Sequence, residues 1–137
     1  MKLRHMVLIG ALLAPAALAQ SFTTAAEVKP ILQATKANWI ALREYEGNDL
    51  LYFTHLESWR CGLTQVRFSV NSTAAAAEWA MEPCYEGEAQ PNALRLDTRL
   101  PYTVLPLGMA QTVSVVVVYD DGTEDRMDYE RKAILLP

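Results

Sequence analysis

Two β-strands joined by an acidic turn are predicted by residues 112–136, TVSVVVVYDDGTEDRMDYERKAILL. Alternate positions of the first strand place four large side chains on one face: Val113, Val115, Val117 and Tyr119. Val116 and Val118 make the other face apolar as well, which is typical of a strand inside a sheet whose two faces are both covered. Asp121-Gly122 indicates a hairpin, because glycine tolerates the positive φ of a tight turn.

Further strands are predicted on the N-terminal side of this hairpin. They are expected at residues 39–45, 50–56, 65–70, 78–81 and 94–107. A four-residue turn, Glu46–Asp49, is expected between the first two, and Pro101 and Pro106 restrict the last to an edge or a connection. About seven short strands separated by turns favour an all-β, mainly antiparallel sandwich over an α/β arrangement.

The segment Leu105–Met127 resembles the end of a fibronectin type III or immunoglobulin-like domain. It combines an apolar strand, Tyr119, an Asp-Gly turn and a polar return strand. The resemblance is one of fold only and implies a small β-sandwich without indicating a function. Cys61 and Cys84 depart from the immunoglobulin pattern, because they lie too close in sequence to bridge the usual pair of strands.

A cleaved signal peptide is predicted for residues 1–19. Lys2 and Arg4 precede an apolar run, and Ala17-Leu18-Ala19 fits the small-x-small rule for cleavage. A retained membrane anchor is the alternative, but the apolar run is too short to span a bilayer comfortably. We therefore expect an exported protein, periplasmic or secreted, with no integral membrane segment after cleavage.

The rest of the chain divides into a lead-in and one domain. Residues 20–37 are predicted to form an irregular lead-in or a short helix. Thr24 and Glu27 fit a capping box, whereas Pro30 favours a helix that begins near it. Residues 38–137 are predicted to form a single β-sandwich domain.

The charge balance is acidic, with a net charge of −4 for the whole chain. Loss of Lys2 and Arg4 with the signal peptide makes it more negative. An acidic exported protein is a poor candidate for binding nucleic acid or anionic lipid surfaces. Nothing in the composition calls for an oligomer, so a monomer is expected.

Cys61 and Cys84 are predicted to form a structural disulfide, because an isolated pair in an exported chain is usually oxidised. The alternative, a redox-active pair, more often has two residues between the cysteines. In the chain-entropy model, a bridge closing a loop of this size stabilises the fold by roughly 3 kcal/mol. It would fix the root of a loop at residues 84–92 and leave the tip free.

No organised catalytic or cofactor site is predicted, so we expect a protein that is not an enzyme and needs no cofactor. His55 is the only histidine beyond the signal peptide, too few for a zinc site or a hydrolytic triad. The acidic turn suggests calcium through Asp120, Asp121 and Asp125, although it departs from the EF-hand pattern. A plain hairpin tip needs no metal.

The function favoured by the sequence is binding of a protein or glycan that the sequence does not specify. The candidate surface is the disulfide corner with its loop, namely Trp59, Arg60, Tyr85, Glu86 and Glu88. Trp59 and Tyr85 are the aromatic residues expected to be most exposed, the alternative being that the aromatics belong to the core. Two further hypotheses are an inhibitor of an extracellular or periplasmic hydrolase that uses the loop 84–92, and a carbohydrate-binding module that uses exposed aromatics.

Overall fold

The computed structural model describes Gly10, residues 21–97 and residues 99–137; apart from Gly10, the predicted signal peptide and its cleavage site lie outside the described residues. Seven strands are present: β1 Ala41–Tyr45, β2 Asn48–Tyr52, β3 Leu63–Val70, β4 Ala77–Trp79, β5 Tyr102–Pro106, β6 Thr112–Tyr119 and β7 Glu124–Glu130. They form two antiparallel sheets with the orders β1-β2-β5 and β4-β3-β6-β7. The predicted all-β, mainly antiparallel, sandwich-like class is confirmed.

Helical segments are short. The α-helices are α1 Ala25–Ala34, α2 Thr54–Glu57 and α3 Arg131–Ile134, with 3₁₀ turns at Lys36–Asn38 and Arg60–Gly62. No helix among the described residues has the length and apolar character needed to cross a membrane.

The hairpin of β6 and β7 lies where the sequence predicts it. β6 is an inner strand, flanked by β3 and β7. The four side chains of its predicted inward face are completely buried in the core: Val113, Val115, Val117 and Tyr119. Burial of this valine-rich face anchors the four-stranded sheet against the rest of the domain.

The turn between β1 and β2 is shorter than the predicted four-residue turn. Tyr45 pairs with Asn48, so only Glu46 and Gly47 form the turn, with φ of 48° and 76°. Positive φ at both positions gives the backbone twist that suits two-residue hairpins. The second predicted strand also ends early, because the chain enters α2 after Tyr52, and His55 therefore lies in a helix.

Helix α1 begins at Ala25, five residues before Pro30. The Thr24 hydroxyl accepts a hydrogen bond from the backbone N–H of Glu27 at 3.3 Å and caps the helix. Pro30 lies inside the helix, where it lacks the N–H that would bond the carbonyl four residues earlier. The N-terminal cap thus decides where the helix starts, rather than the proline.

Helix α1 packs against the Arg60–Gly62 turn at very short range. Val28 and Leu32 are completely buried on the inner side of the helix. A Cβ atom on Gly62 would lie 2.3 Å from a Val28 methyl and 2.9 Å from the Thr24 carbonyl oxygen. Only glycine allows the two segments to approach this closely.

Arg131 holds the end of β6 that is far from Cys61. Its guanidinium bonds both carboxylate oxygens of Asp49, at 2.6 and 2.9 Å, and Glu44 at 2.7 Å. Asp49 is fully buried and also accepts the Ala110 N–H at 3.2 Å. The hydrogen bonds from Arg131 outweigh the effect of burial and lower the pKa of Asp49 to about 2. This ion pair attaches α3 to the three-stranded sheet.

Candidate functional site

A long connection between β4 and β5 has neither helix nor strand among its described residues. Its first part, Glu82–Arg95, closes on itself, because the Glu82 carboxylate accepts the Arg95 N–H at 3.0 Å. Two further bonds shape the tip: Tyr85 N–H donates to Pro91 O at 3.0 Å and Glu88 N–H donates to Tyr85 O at 3.2 Å. A compact surface loop whose ends meet is an Ω-loop, and such loops are frequently functional.

The predicted disulfide between Cys61 and Cys84 is present, with 5.0 Å between the two Cα atoms. It joins the root of the loop Glu82–Arg95 to the turn before β3. Asn92 adds a second link at the same place. Its side-chain oxygen accepts the Cys61 N–H at 2.9 Å, and its side-chain nitrogen donates to Phe22 O at 2.9 Å.

Arg60 lies beneath the loop instead of on the predicted binding surface. Only 2% of the residue is exposed. All of its hydrogen bonds go to backbone carbonyl oxygens, and their distances are 3.0 and 2.7 Å to Pro83, 2.9 Å to Glu57, 2.8 Å to Asn92 and 2.9 Å to Ala93. Arg60 is buried there because the five donors of its planar guanidinium can bond several carbonyl oxygens at once.

Two buried carboxylates complete the support of the loop, and the sequence did not identify either as a site residue. Glu57 is 3% exposed and accepts the Glu82 N–H at 3.0 Å and the Trp79 Nε1–H at 3.4 Å. Glu82 is 5% exposed and accepts the Tyr85 hydroxyl at 2.6 Å. Burial lowers the pKa of Arg60, an effect opposed by the negative charges of Glu82 and Glu57. A glutamate on an ordinary helix and one before a loop give no sequence signal for burial.

The pKa of Glu82 is lowered despite its burial. Desolvation alone would raise it, but the bonds donated by Tyr85 and Arg95, together with the charge of Arg60, favour the carboxylate. The same contact with Glu82 raises the pKa of the Tyr85 hydroxyl. The loop therefore contains an ionised carboxylate at its base that serves as a hydrogen-bond acceptor.

The outer surface of the loop is mixed in character. Glu86 and Glu88 are exposed at the tip, as expected, and Glu88 forms an ion pair with Arg95. The Arg95 guanidinium also lies 3.6 Å from the centre of the Tyr85 ring. Beyond the loop, Leu96 is exposed with a positive φ of 54°, and Leu100 is exposed as well.

The predicted aromatic surface is only partly available. Tyr85 and Trp59 are half-buried, although they were expected to be the most exposed rings. Trp59 packs edge-on against Phe22 at 5.1 Å between ring centres, and Trp79 is buried in a stack with Phe53 at 4.2 Å. These rings are held by core contacts, since large aromatic side chains gain most from burial.

A separate cleft of about 640 Å³ contains His55. Burial lowers the pKa of this imidazole, and its Nε2 lies 2.9 Å from the Thr35 hydroxyl. The other polar residues of the cleft are Asn38, Arg43, Tyr52, Thr54 and Ser58. Among the described lining residues there is no carboxylate to orient the histidine, so a Ser-His-Asp arrangement is not assembled there.

The acidic turn between β6 and β7, together with the start of β7 (residues 120–125), packs against helix α1. Asp120 accepts the Ala25 N–H at 2.8 Å, at the positive end of the helix. Lys29 contacts Asp121 at 3.0 Å, and Asp125 accepts the Tyr119 hydroxyl at 2.6 Å. Hydrogen bonds from Thr123 lower the pKa of Asp121 to about 2, helped by Lys29. In the part of the chain that the structure describes, no three metal-binding side chains converge, and docking of α1 accounts for the predicted calcium residues.

The candidate site is therefore the loop Glu82–Arg95 on its buried support. Of the residues expected at the binding surface, the structure places Tyr85, Glu86 and Glu88 on the loop itself, Arg60 beneath it and Trp59 in the adjoining corner. Comparisons of the chain with protein-family models, with curated proteins and with solved structures give no match.

Proposed function

We propose that this chain is an exported, non-enzymatic binding protein whose loop Glu82–Arg95 contacts a protein partner. The observation that carries the proposal is that the loop is held in one shape by its own support. Arg60, Glu57 and Glu82 bond the polar groups at its base and the disulfide fixes its root, while the tip remains exposed. A loop ordered before binding loses less conformational entropy in the complex, which raises affinity.

The chemistry of the exposed surface favours a protein partner over a glycan. Glu86 supplies negative charge at the tip, and Leu96 and Leu100 supply exposed apolar surface in the segment that follows the loop. Protein interfaces combine apolar contacts with a polar rim in this way. A sugar-binding platform would need open aromatic faces, but Trp79 is buried and the Arg95 guanidinium lies against the Tyr85 ring.

The sandwich and the disulfide support the remaining parts of the proposal. The strand orders β1-β2-β5 and β4-β3-β6-β7 support a domain that is fibronectin type III- or immunoglobulin-like in outline, an architecture found in many cell-surface domains. The Cys61–Cys84 bridge supports export to an oxidising compartment, periplasmic or extracellular.

Charge reversal at the loop tip tests binding. Glu86→Lys changes an exposed side chain that takes part in none of the bonds described above. Glu130→Lys makes the same change of charge at the far end of β7 and is the matched control. The wild-type protein is used to capture a partner from the envelope fraction, and the purified partner is titrated against all three proteins.

We expect Glu86→Lys to raise the Kd at least about tenfold, whereas Glu130→Lys changes it less than about twofold. Equal affinities of the three proteins, or no specific partner, would overturn the proposal.

A narrower form of this proposal is that the protein inhibits an exported hydrolase. The loop root, which is anchored by both the disulfide and Asn92, favours this form. If the captured partner is a hydrolase, its activity must fall on adding wild-type protein and persist with Glu86→Lys.

A further inference from the structure

The outer edge of β5 has main-chain hydrogen-bonding groups with no strand beside them. Within the described residues, β5 pairs only with β2. Phe53 N–H donates to Pro101 O at 2.8 Å, so the main-chain carbonyl of Pro101 points toward β2. The main-chain groups of successive residues in an antiparallel ladder point to alternate sides, so those of Thr103 also point toward β2. Tyr102 and Val104 point their N–H and C=O groups outward.

This edge is bounded by Pro101 and Pro106, but it lacks the charged side chains that usually prevent strands from pairing between molecules. Residues 100–119 contain no Asp, Glu, Lys or Arg. Large apolar side chains along the edge are exposed, with 57% for Leu100, 54% for Val104 and 54% for Leu107. Exposed sheet edges are normally protected by charges, bulges or covering segments, because an open edge is a template for another strand.

The outward groups are complementary to themselves. When two copies of β5 are placed antiparallel about a two-fold axis through Thr103, Tyr102 of one copy lies opposite Val104 of the other. Each outward N–H then meets an outward C=O. The same register places an aromatic ring beside a β-branched side chain on the outer face, which is a favourable cross-strand pair.

We propose that a second copy of this chain occupies the β5 edge and that the protein forms a two-fold symmetric dimer. Charge favours a copy of the chain as the occupant. Two copies of this acidic chain repel over most of their surface, but at this edge an uncharged stretch meets an uncharged stretch. The pairing joins the two β1-β2-β5 sheets into one continuous sheet. The assembly stops at two copies, because the β5 edge of each copy is then occupied by the other.

The dimer is tested with three substitutions at one position. Val104→Pro removes the outward N–H and leaves the ladder with β2 intact, because this N–H does not bond β2. Val104→Lys keeps the N–H and adds a charge that lies diagonally across the axis from the same charge on the other copy. Val104→Thr keeps the N–H and the β-branched shape and is the control. Sedimentation velocity over a concentration series gives the dissociation constant, and circular dichroism confirms that each variant is folded.

We expect the wild type to change from monomer to dimer with increasing concentration. Val104→Pro and Val104→Lys should raise the dissociation constant at least about tenfold, and Val104→Thr less than about threefold. If Val104→Pro does not fold, the dissociation constant of Val104→Lys compared with that of Val104→Thr tests the proposal instead. A wild-type protein that stays monomeric overturns the proposal and leaves the edge to a strand of another protein. Unchanged dimerisation in Val104→Pro or Val104→Lys, or equal losses in all three variants, also overturns it.

Discussion

Arg60 and Arg131 each hold one end of the sandwich, but they bind different kinds of acceptor. Arg60 donates only to backbone carbonyl oxygens of the loop and its base. Arg131 donates mainly to the carboxylates of Asp49 and Glu44. Carbonyl oxygens do not titrate, whereas carboxylates do. The hydrogen bonds of Arg60 are thus indifferent to acid, whereas the bonds of Arg131 to carboxylates are ones that acid can remove.

The largest effect is expected from Arg60→Met. The substitution leaves the carbonyl oxygens of Pro83 and Asn92 unpaired and the buried carboxylates of Glu57 and Glu82 without a nearby cation. We expect the free energy of unfolding to fall by about 3–5 kcal/mol, because buried carbonyl oxygens lose their donors and buried carboxylates lose the compensating positive charge. Urea unfolding followed by tryptophan fluorescence measures the loss.

The control for Arg60→Met is Arg43→Met. Arg43 is exposed and lies over the Tyr45 ring at 4.4 Å, so its replacement should cost less than about 1 kcal/mol. Similar small losses for both variants would mean that the loop is held without Arg60.

A smaller, pH-dependent effect is expected from Asp49→Asn. The folded-state pKa of Asp49 is about 2, against an ordinary value of 3.8. A lowered pKa adds stability above the unfolded-state value, and this stability is lost as the pH falls through the folded-state value. The stability difference between wild type and Asp49→Asn should therefore shrink by about 2 kcal/mol between about pH 5 and pH 2.

Urea midpoints measured across that pH range test this prediction. Asp97→Asn changes an exposed carboxyl and serves as the charge-matched control. A difference between wild type and Asp49→Asn that stays constant down to pH 2 would show that the bonds of Arg131 are as insensitive to acid as those of Arg60.

The smallest effect is expected from Glu44→Gln, which alters the other carboxylate bound to Arg131. The Glu44 side chain is 52% exposed, whereas that of Asp49 has no exposure. Exposed ion pairs are screened by water and salt, so the loss should stay below about 1 kcal/mol and vanish at high salt. Unfolding at low and high ionic strength provides the measurement. A loss as large as that of Asp49→Asn would show that exposure does not separate the two carboxylates.

Local patterns in the sequence were sufficient for the hairpin of β6 and β7 and for the disulfide. Val113 and Val115 alternate with smaller or opposite-facing residues, and Asp121-Gly122 marks the turn, so neighbours in sequence contain the necessary information. Cys61 and Cys84 are the only two cysteines. These features required no knowledge of distant contacts.

The support of the loop could not be predicted in the same way. Arg60 is buried only because the segment containing Pro83 and Asn92 folds over it, and such a non-local contact leaves no periodic signal. Its position beside Trp59 was equally compatible with an exposed corner. The turn at Glu46 was expected but with four residues instead of two, because the left-handed backbone of a non-glycine residue depends on the register of the two strands.

The close approach of α1 to Gly62 has a consequence for the evolution of this protein. Arg60, Cys61 and Gly62 are consecutive, and each needs its own residue type: a five-donor cation, a disulfide partner and a residue without a Cβ. The exposed tip around Glu86 is under no such packing constraint. Diverged relatives are expected to retain Arg-Cys-Gly while their loop tips differ, so this tripeptide is a practical signature with which to search for them. A relative that keeps the fold but has a large side chain in place of the glycine would contradict the expectation.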